Sequence, residues 1–259
     1  MERNLTTGSI WKNIFYFSLP YLLSYFLQTL YGMADLFIIG QFEGAAGTTA
    51  VSIGSQVMHM ITVIIVGLTM GTTVSIAQAV GAKDKKQASR CTGNTITLFL
   101  GVSVVLMVIL LLLVKPIVLV MSTPFEAVSG TVAYLTICFI GIPFIIAYNI
   151  ISSIFRGLGD SKSPMYFIAV ACAANIALDY LFMGALHLGP SGAALGTTLS
   201  QTLSVILALI AIRKRDTGIR LTRSDLSPQT AVMGQILKIG VPILSLIHIS
   251  EPTRPEPIS

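Results

Sequence analysis

Apolar residues along this chain fall into long blocks separated by short polar stretches. A helix needs roughly 20 apolar residues, at about 1.5 Å each, to cross a hydrocarbon core of about 30 Å. Six blocks reach that length: residues 14–39, 48–80, 91–114, 128–155, 163–186 and 189–212. The pattern predicts an all-α integral membrane protein, a six-transmembrane-helix bundle whose spans are numbered one to six below.

Composition excludes an ordinary soluble domain. Charged residues make up 10% of the chain, against roughly 25% in soluble domains. Hydrophobic residues make up 54%, and the mean hydropathy is +0.82. The net charge of +5 does not indicate a nucleic-acid partner, because the basic residues lie in short loops beside apolar blocks and not on an aromatic-rich polar face.

The distribution of basic residues predicts the topology. The connections on the opposite side of the spans contain Lys115 alone. Because cytoplasmic loops are enriched in Lys and Arg, the N-terminus and the end of span six are predicted to be cytoplasmic, in a multi-pass protein of the cell (inner) membrane. Fourteen of the sixteen Lys and Arg lie on the predicted cytoplasmic side: Arg3, Lys12, Lys83, Lys85, Lys86, Arg90, Arg156, Lys162, Arg213, Lys214, Arg215, Arg220, Arg223 and Lys238.

The end of the chain repeats its beginning. Residues 236–244, ILKIGVPIL, echo residues 14–22, IFYFSLPYL, with Ile, Pro and Leu at a constant offset. A repeat that begins where a six-helix unit ends is typical of duplicated transporters. We therefore predict a transporter lobe (1–212), a basic cytoplasmic linker (213–233), a truncated start of a second lobe and of helix seven (234–247), and a polar, non-native-looking tail (248–259).

Prolines and glycines within the spans predict bends and close contacts. Pro20 in span one and Pro143 in span four each remove a helical hydrogen bond, so each is expected to kink its helix. Small residues four positions apart let helix backbones approach closely. We interpret two such pairs as packing contacts: Gly67 with Gly71, and Gly192 with Gly196.

Two acidic residues, Asp35 and Asp179, lie inside the spans without a Lys or Arg in the same span. A charged side chain at the bilayer centre costs about 2.5–3.5 kcal/mol or more, so an intramembrane acid indicates function. Spans one and five run in the same direction, and each acid lies one to two turns from the outer end of its span. Their shared depth predicts that both line one cavity.

Neighbouring polar residues extend this predicted cavity. Asn175 precedes Asp179 by four positions and so lies on the same helix face. Such a set could take up protons, bind a hard cation such as sodium through oxygen atoms, or attract organic cations. Further oxygens could come from Gln28 and Tyr31 in span one and from Thr197 and Thr198 in span six.

An enzyme is the competing class. The string Gly157-Leu158-Gly159-Asp160 matches the GxGD pattern of intramembrane aspartyl proteases, which also use two membrane acids. Asp160, however, lies in a polar loop between Arg156 and Lys162, so we interpret the string as a turn. No nucleophile, base and orienting group share one level, and we predict that the chain is not an enzyme.

Four segments carry a family resemblance. They are LPYLLSYFLQTLYGMADLFIIGQFEG in span one, RGLGDSKSP after span four, NIALDYLF in span five and GPSGAALGTTLSQ entering span six. Over residues 10–245 the chain resembles the multidrug and toxic compound extrusion (MATE) family, nearest its DinF-like branch, and specifically its N-terminal half.

The resemblance implies twelve helices in two six-helix lobes that rock between inward-open and outward-open states. It also implies antiport of cationic organic compounds (drugs and toxins) against protons or sodium, with no cofactor beyond that coupling ion. The ion-coupling cluster would be Asp35, Asn175, Asp179 and Thr197, which would also hold sodium, and Pro20 would be the hinge. The implied partners are small cations, membrane lipid and the missing C-terminal lobe, without which the chain is not expected to alternate access.

A lipid-linked-sugar flippase of the same superfamily is the nearest alternative. It should carry basic residues in its cavity to meet phosphates, and the six spans contain none. A scaffold without transport activity has no support in the sequence. The sequence leaves open the substrate, the choice between proton and sodium, the oligomeric state, and whether the chain folds alone.

Overall fold

A computed structural model describes residues 9–214 and 222–250, with only the backbone described for residues 246–250. Helices account for nearly all of these residues, and no strand occurs among them. A six-residue π-helical segment, Tyr180–Ala185, continues α6. The helices in chain order are α1 (Ile10–Phe42), α2 (Ala45–Gly81), α3 (Lys85–Val120), α4 (Phe125–Ile140), α5 (Ile142–Gly157), α6 (Lys162–Asp179), α7 (Gly189–Lys214) and α8 (Thr230–Ser250).

The described helices confirm the predicted all-α membrane fold. Five spans are long and apolar enough to cross a bilayer: α1, α2, α3, α6 with its π-helical segment, and α7. A sixth results when α4 and α5 are counted together, although they meet at a bend of 48°. Gly141 lies at this bend and Pro143 follows it, so the predicted kink in span four is confirmed. By contrast, α1 continues through Pro20 as one helix.

Two aspartates cap helices at the connections. Asp84 accepts a hydrogen bond from the backbone N–H of Gln87 (2.9 Å) at the start of α3. Asp160 accepts hydrogen bonds from the N–H groups of Lys162 and Ser163 (both 3.0 Å) at the start of α6. The length of α6 separates Asp160 from Asp179 by roughly 26 Å. Asp160 therefore belongs to a turn and does not pair with the intramembrane acid of its own span.

Helix α2 is the centre of the bundle. It packs against α1, α3, α4, α5 and α8, while α6 packs between α1 and α7. Glycines permit the close approach of α8 to α2. A Cβ on Gly71 would collide with the backbone carbonyl of Ile236, and one on Gly240 would lie 2.6 Å from the carbonyl oxygen of Leu68. Gly67 in turn faces Leu244, which confirms the packing interpretation of the Gly67 and Gly71 pair.

The connection that leads into α8 is fixed to α3 through Asn94. The Asn94 side-chain amide donates to the carbonyl of Asp225 (3.2 Å), and its side-chain oxygen accepts from the N–H of Gln229 (2.7 Å). One turn further along α3, the Thr97 hydroxyl donates to the carbonyl of Leu226 (2.7 Å). Asn94 is fully buried, so these bonds satisfy an amide that would otherwise be costly.

The pH response of this connection follows from Asp225. The hydroxyl and the N–H of Thr222 both donate to its carboxylate (2.6 and 2.9 Å), and they lower its pKa below the ordinary value. Because the pKa of Asp225 is lower in the folded protein than in the unfolded chain, where it is near 3.9, the ionised carboxylate stabilises the loop at any pH above that value. That stabilisation is lost only as the pH falls through the lowered pKa of the folded protein. We expect hydrogen exchange at Thr222, corrected for intrinsic rates, to show unchanged protection between pH 7 and 5.

The Asp225→Asn variant lacks the carboxylate that accepts the Thr222 N–H. Its Thr222 amide should therefore be less protected from exchange than in the wild type. Asp84→Asn serves as the control. Asp84 lies on another connection, and Asn caps a helix about as well as Asp. Loss of Thr222 protection in the wild type between pH 7 and 5 would contradict the assigned bond.

Part of the predicted domain division lies outside the described residues. This applies to residues 1–8, to 215–221 of the predicted linker and to 251–259 of the predicted tail, so the division stays a prediction. Within the described part, Pro242 lies inside α8 as Pro20 lies inside α1, at the positions that the sequence repeat equates.

Candidate functional site

Helix α1 presents one face of polar residues to the bundle. Gln28, Tyr31 and Asp35 follow each other at intervals of three and four residues, which places them on the same side of the helix. Asp35 is only 2% exposed, whereas Gln28 and Tyr31 are half-buried. Burial of a carboxyl group at this depth requires partners from neighbouring helices.

Helix α6 supplies the second acid. Asp179, its last residue, is fully buried, and Asn175 lies one turn before it and is also buried. The π-helical segment begins directly after Asp179. Such segments insert one residue into a helix and occur frequently at functional sites. The hydropathy of this span gave no indication of the insertion.

Helix α7 brings the two acids together. The Thr197 hydroxyl donates a hydrogen bond to Asp35 Oδ2 (3.1 Å). Gly196, the preceding residue, leaves the space that an Asp179 carboxyl oxygen occupies, because a Cβ there would collide with Oδ1. Gly196 therefore shapes the acid pair, a role that the sequence interpretation of this glycine as a packing residue missed.

The two carboxyl groups are direct neighbours. Asp35 has the side chains of Asp179, Thr197 and Asn175 around it. The predicted cluster of four residues is therefore assembled in one place. Since no Lys or Arg is among these neighbours, a single proton between the carboxyl groups, or a bound cation, is what would neutralise the pair.

Several oxygens of the acid pair have no hydrogen-bond partner among the described residues. They are Asp35 Oδ1 and both carboxyl oxygens of Asp179, and the two polar side-chain atoms of Asn175 are likewise unpaired. Buried polar atoms that no protein group satisfies are uncommon, and these oxygens are left available to a ligand. These oxygens are the type of donor that a proton or a sodium ion takes.

A second polar layer adjoins the acids, and of its members only Tyr31 was predicted. Its side chain lies beside Gln201, which is one turn after Thr197 on α7. The Tyr134 hydroxyl of α4 bonds to Ser55 of α2 (3.0 Å). The spacing of Gln201 from Thr197 could have identified it, because residues four apart share a helix face. Tyr134 lies in an apolar stretch and gave no such signal.

The remaining predicted residues lie farther from the acids. Thr198 faces the bend between α4 and α5, where a Cβ on Gly141 would lie 2.7 Å from its methyl group. Gln28 lies two turns before Asp35, roughly 10 Å along α1. Pro20 lies roughly 22 Å away toward the start of α1, where its carbonyl accepts a hydrogen bond from Ser24 (2.8 Å). Their roles stay predictions.

Known proteins are similar to this chain over about half of their own length. The MatE family model matches residues 20–181. The chain is 31% identical over 240 residues to the probable multidrug resistance protein YpnP of Bacillus subtilis, covering 92% of this chain and 53% of that protein. It is 26% identical over 242 residues to the multidrug export protein MepA of Staphylococcus haemolyticus, covering 93% and 53%.

Solved structures give the same result. A crystal structure of a MATE protein in the bent conformation matches with a TM-score of 0.87 and 29% identity, over 93% of this chain and 54% of that one. The chain thus spans about half the length of the proteins it matches. With a family model matching well over half of its residues and a bundle that superposes on a solved MATE protein, this chain belongs to the MatE family of multidrug efflux transporters.

Proposed function

We propose that this chain is the N-terminal lobe of an antiporter that exports cationic organic compounds in exchange for protons or sodium. One observation carries the proposal: Asp35 and Asp179 are buried side by side at membrane depth with unpaired oxygens and no basic neighbour. Two adjacent carboxylates cannot both stay charged in a low dielectric, so the pair must bind protons or a cation.

Exchange follows from competition for the same negative charge. An organic cation is attracted to the ionised pair, and a proton or sodium ion removes that attraction when it binds. The proton or sodium ion and the organic cation then stabilise different charge states of one site, which is the requirement for coupling.

The orientation is part of the proposal. The connections between α2 and α3 and between α5 and α6 carry basic residues and lie at one end of the bundle, together with Arg213 and Lys214 at the end of α7. This end is called the basic end below. The positive-inside rule assigns this end to the cytoplasm of a cell with its transporter in the inner membrane. The acid pair lies toward the other end.

The flippase alternative is disfavoured by charge. Two buried carboxylates would repel the phosphates of a lipid-linked sugar, whereas they attract a cation. The names of YpnP and MepA refer to multidrug resistance and multidrug export, which supports drug export over lipid flipping for a related chain.

Charge-removing variants of the acid pair test the proposal. We expect Asp35→Asn and Asp179→Asn each to reduce efflux of a fluorescent organic cation by roughly 5–150-fold. This is the change in affinity that typical coupling free energies between two ligands produce. Efflux would be measured in cells that express the complete gene carrying this sequence, under imposed proton and sodium gradients. The gradient that drives efflux in the wild type identifies the coupling ion.

Asp84→Asn is the matched control, because it makes the same chemical change at an exposed helix cap that Asn also satisfies. Its efflux should equal that of the wild type. Undiminished efflux in both acid-pair variants would refute the coupling site.

A further inference from the structure

An apolar groove runs along α5 between α3 and α7. Helices α3 and α7 both pack on α5, yet among the described residues they make no contact with each other. The gap between them is a cavity of about 500 Å³ over α5, called the α5 groove below. On α5 it extends from Pro143 at the bend to Leu158 at the basic end, a length of roughly 22 Å.

The α5 groove offers no free hydrogen-bond donor to a ligand along its walls. Its lining is apolar except for Thr92 and Ser103 of α3. Both hydroxyls are occupied, since Thr92 donates to the carbonyl of Ala88 (2.9 Å) and Ser103 to that of Leu100 (2.7 Å). An organic cation or a sugar would lose its hydration here without compensation, so the groove suits a hydrocarbon chain.

The groove opens sideways, toward the lipid. Leu100 of α3 and Leu209 of α7 flank the opening and are 62% and 49% exposed. The acid pair is a separate site, because none of its residues lines the groove. The groove length of roughly 22 Å exceeds the half-thickness of a bilayer hydrocarbon core, about 15 Å, so one extended acyl chain could lie along it.

Positive charge lies at the basic end of the groove. Lys85 precedes Thr92 by seven residues and Ile96 by eleven, which places it on the groove face of α3. Arg213 follows the lining residue Ile212 on α7, and both basic residues are exposed. Three acids lie at this end: Asp84 and Asp160 accept backbone hydrogen bonds, and Asp225, which packs on α3 at Gly93, accepts hydrogen bonds from Thr222 as described above.

We propose that the α5 groove binds one phospholipid with an anionic headgroup. One acyl chain lies over α5 between α3 and α7, and the phosphate lies between Lys85 and Arg213. The site is independent of the acid pair and of the transport proposed for it. An anionic lipid is favoured over a zwitterionic one because the two cations at the mouth attract its net negative charge.

Native mass spectrometry of the detergent-purified chain tests the site. Phosphatidylglycerol and phosphatidylcholine with identical acyl chains would be added in equal amounts. We expect one phosphatidylglycerol to be retained in preference by roughly fivefold or more. The double variant Lys85→Gln with Arg213→Gln should still retain a lipid but lose the preference.

Filling the groove should remove the lipid altogether. Ala147→Trp places an indole on the floor contributed by α5, and lipid retention is expected to be lost. Val105→Trp is the control, because it lies near the depth of Ser103 on the opposite face of α3 and is 58% exposed to lipid. If Ala147→Trp does not fold, Leu209→Trp at the opening serves instead. Unchanged retention in the filled variant, or equal retention of the two lipids by the wild type, would overturn the proposal.

Discussion

Gly71→Ala is expected to lower the free energy of unfolding by about 1–3 kcal/mol, the usual cost of overpacking. The added methyl group would collide with the backbone carbonyl of Ile236 and lie 2.9 Å from the backbone nitrogen of Gly240. Because both are backbone atoms, no side-chain rotation can relieve the collision, and α8 must move away from α2. Thermal and denaturant unfolding in detergent, followed by far-UV circular dichroism, measures the change.

Gly101→Ala is the control for this prediction. A Cβ on Gly101, in the interior of α3, meets nothing within 4 Å. Replacing a helical glycine by alanine then removes backbone entropy from the unfolded chain and should stabilise the protein by roughly 0.5–1 kcal/mol. The two variants should therefore shift stability in opposite directions. A shift of the same sign in both would show that α8 is not held against α2 as described.

Gly196→Ala is expected to reduce cation efflux by roughly 5–150-fold, the loss proposed for Asp179→Asn. The new methyl group would take the space of Asp179 Oδ1 and lie 3.5 Å from the side-chain nitrogen of Asn175. Because the aspartate side chain is short, the Asp179 carboxyl group can avoid the methyl group only by rotating away from Asp35. The variant keeps every charge and removes only the geometry, which separates position from charge as the cause.

Gly40→Ala provides the matched control, since a Cβ on this α1 glycine meets nothing within 4 Å. Efflux and unfolding would be measured on the same preparations, so that a loss of efflux in a folded Gly196→Ala protein can be assigned to the acid pair. Wild-type efflux by Gly196→Ala would show that the position of Asp179 is not critical.

The sequence predicted the spans and the acid pair because both depend on the cost of polarity in lipid. Hydropathy identifies which residues lie in the bilayer, and an uncompensated Asp35 or Asp179 is conspicuous there. The bend after Gly141 was also predictable, because proline removes a hydrogen bond wherever it occurs within a helix. The spacing of Asn175 relative to Asp179 added a third residue, and the family resemblance implied Thr197.

The rest depends on how each helix is rotated, which hydropathy does not report. In a membrane the faces toward lipid and toward the bundle are both apolar, so Tyr134 in α4 could not be assigned to the site. The π-helical segment after Asp179 and the gap between α3 and α7 result from packing among several helices. Neither leaves a pattern in one stretch of sequence.

The bend between α4 and α5 divides one span into two helices that contribute to different sites. On one side of Gly141, α4 carries Tyr134 beside the acids, and on the other side α5 forms the floor of the groove. Because the two helices meet at an angle of 48°, they are not one straight rod, and each takes its own direction within the bundle. One span thus places residues at two sites through two separately oriented helices, which agrees with the independence of the α5 groove from the acid pair.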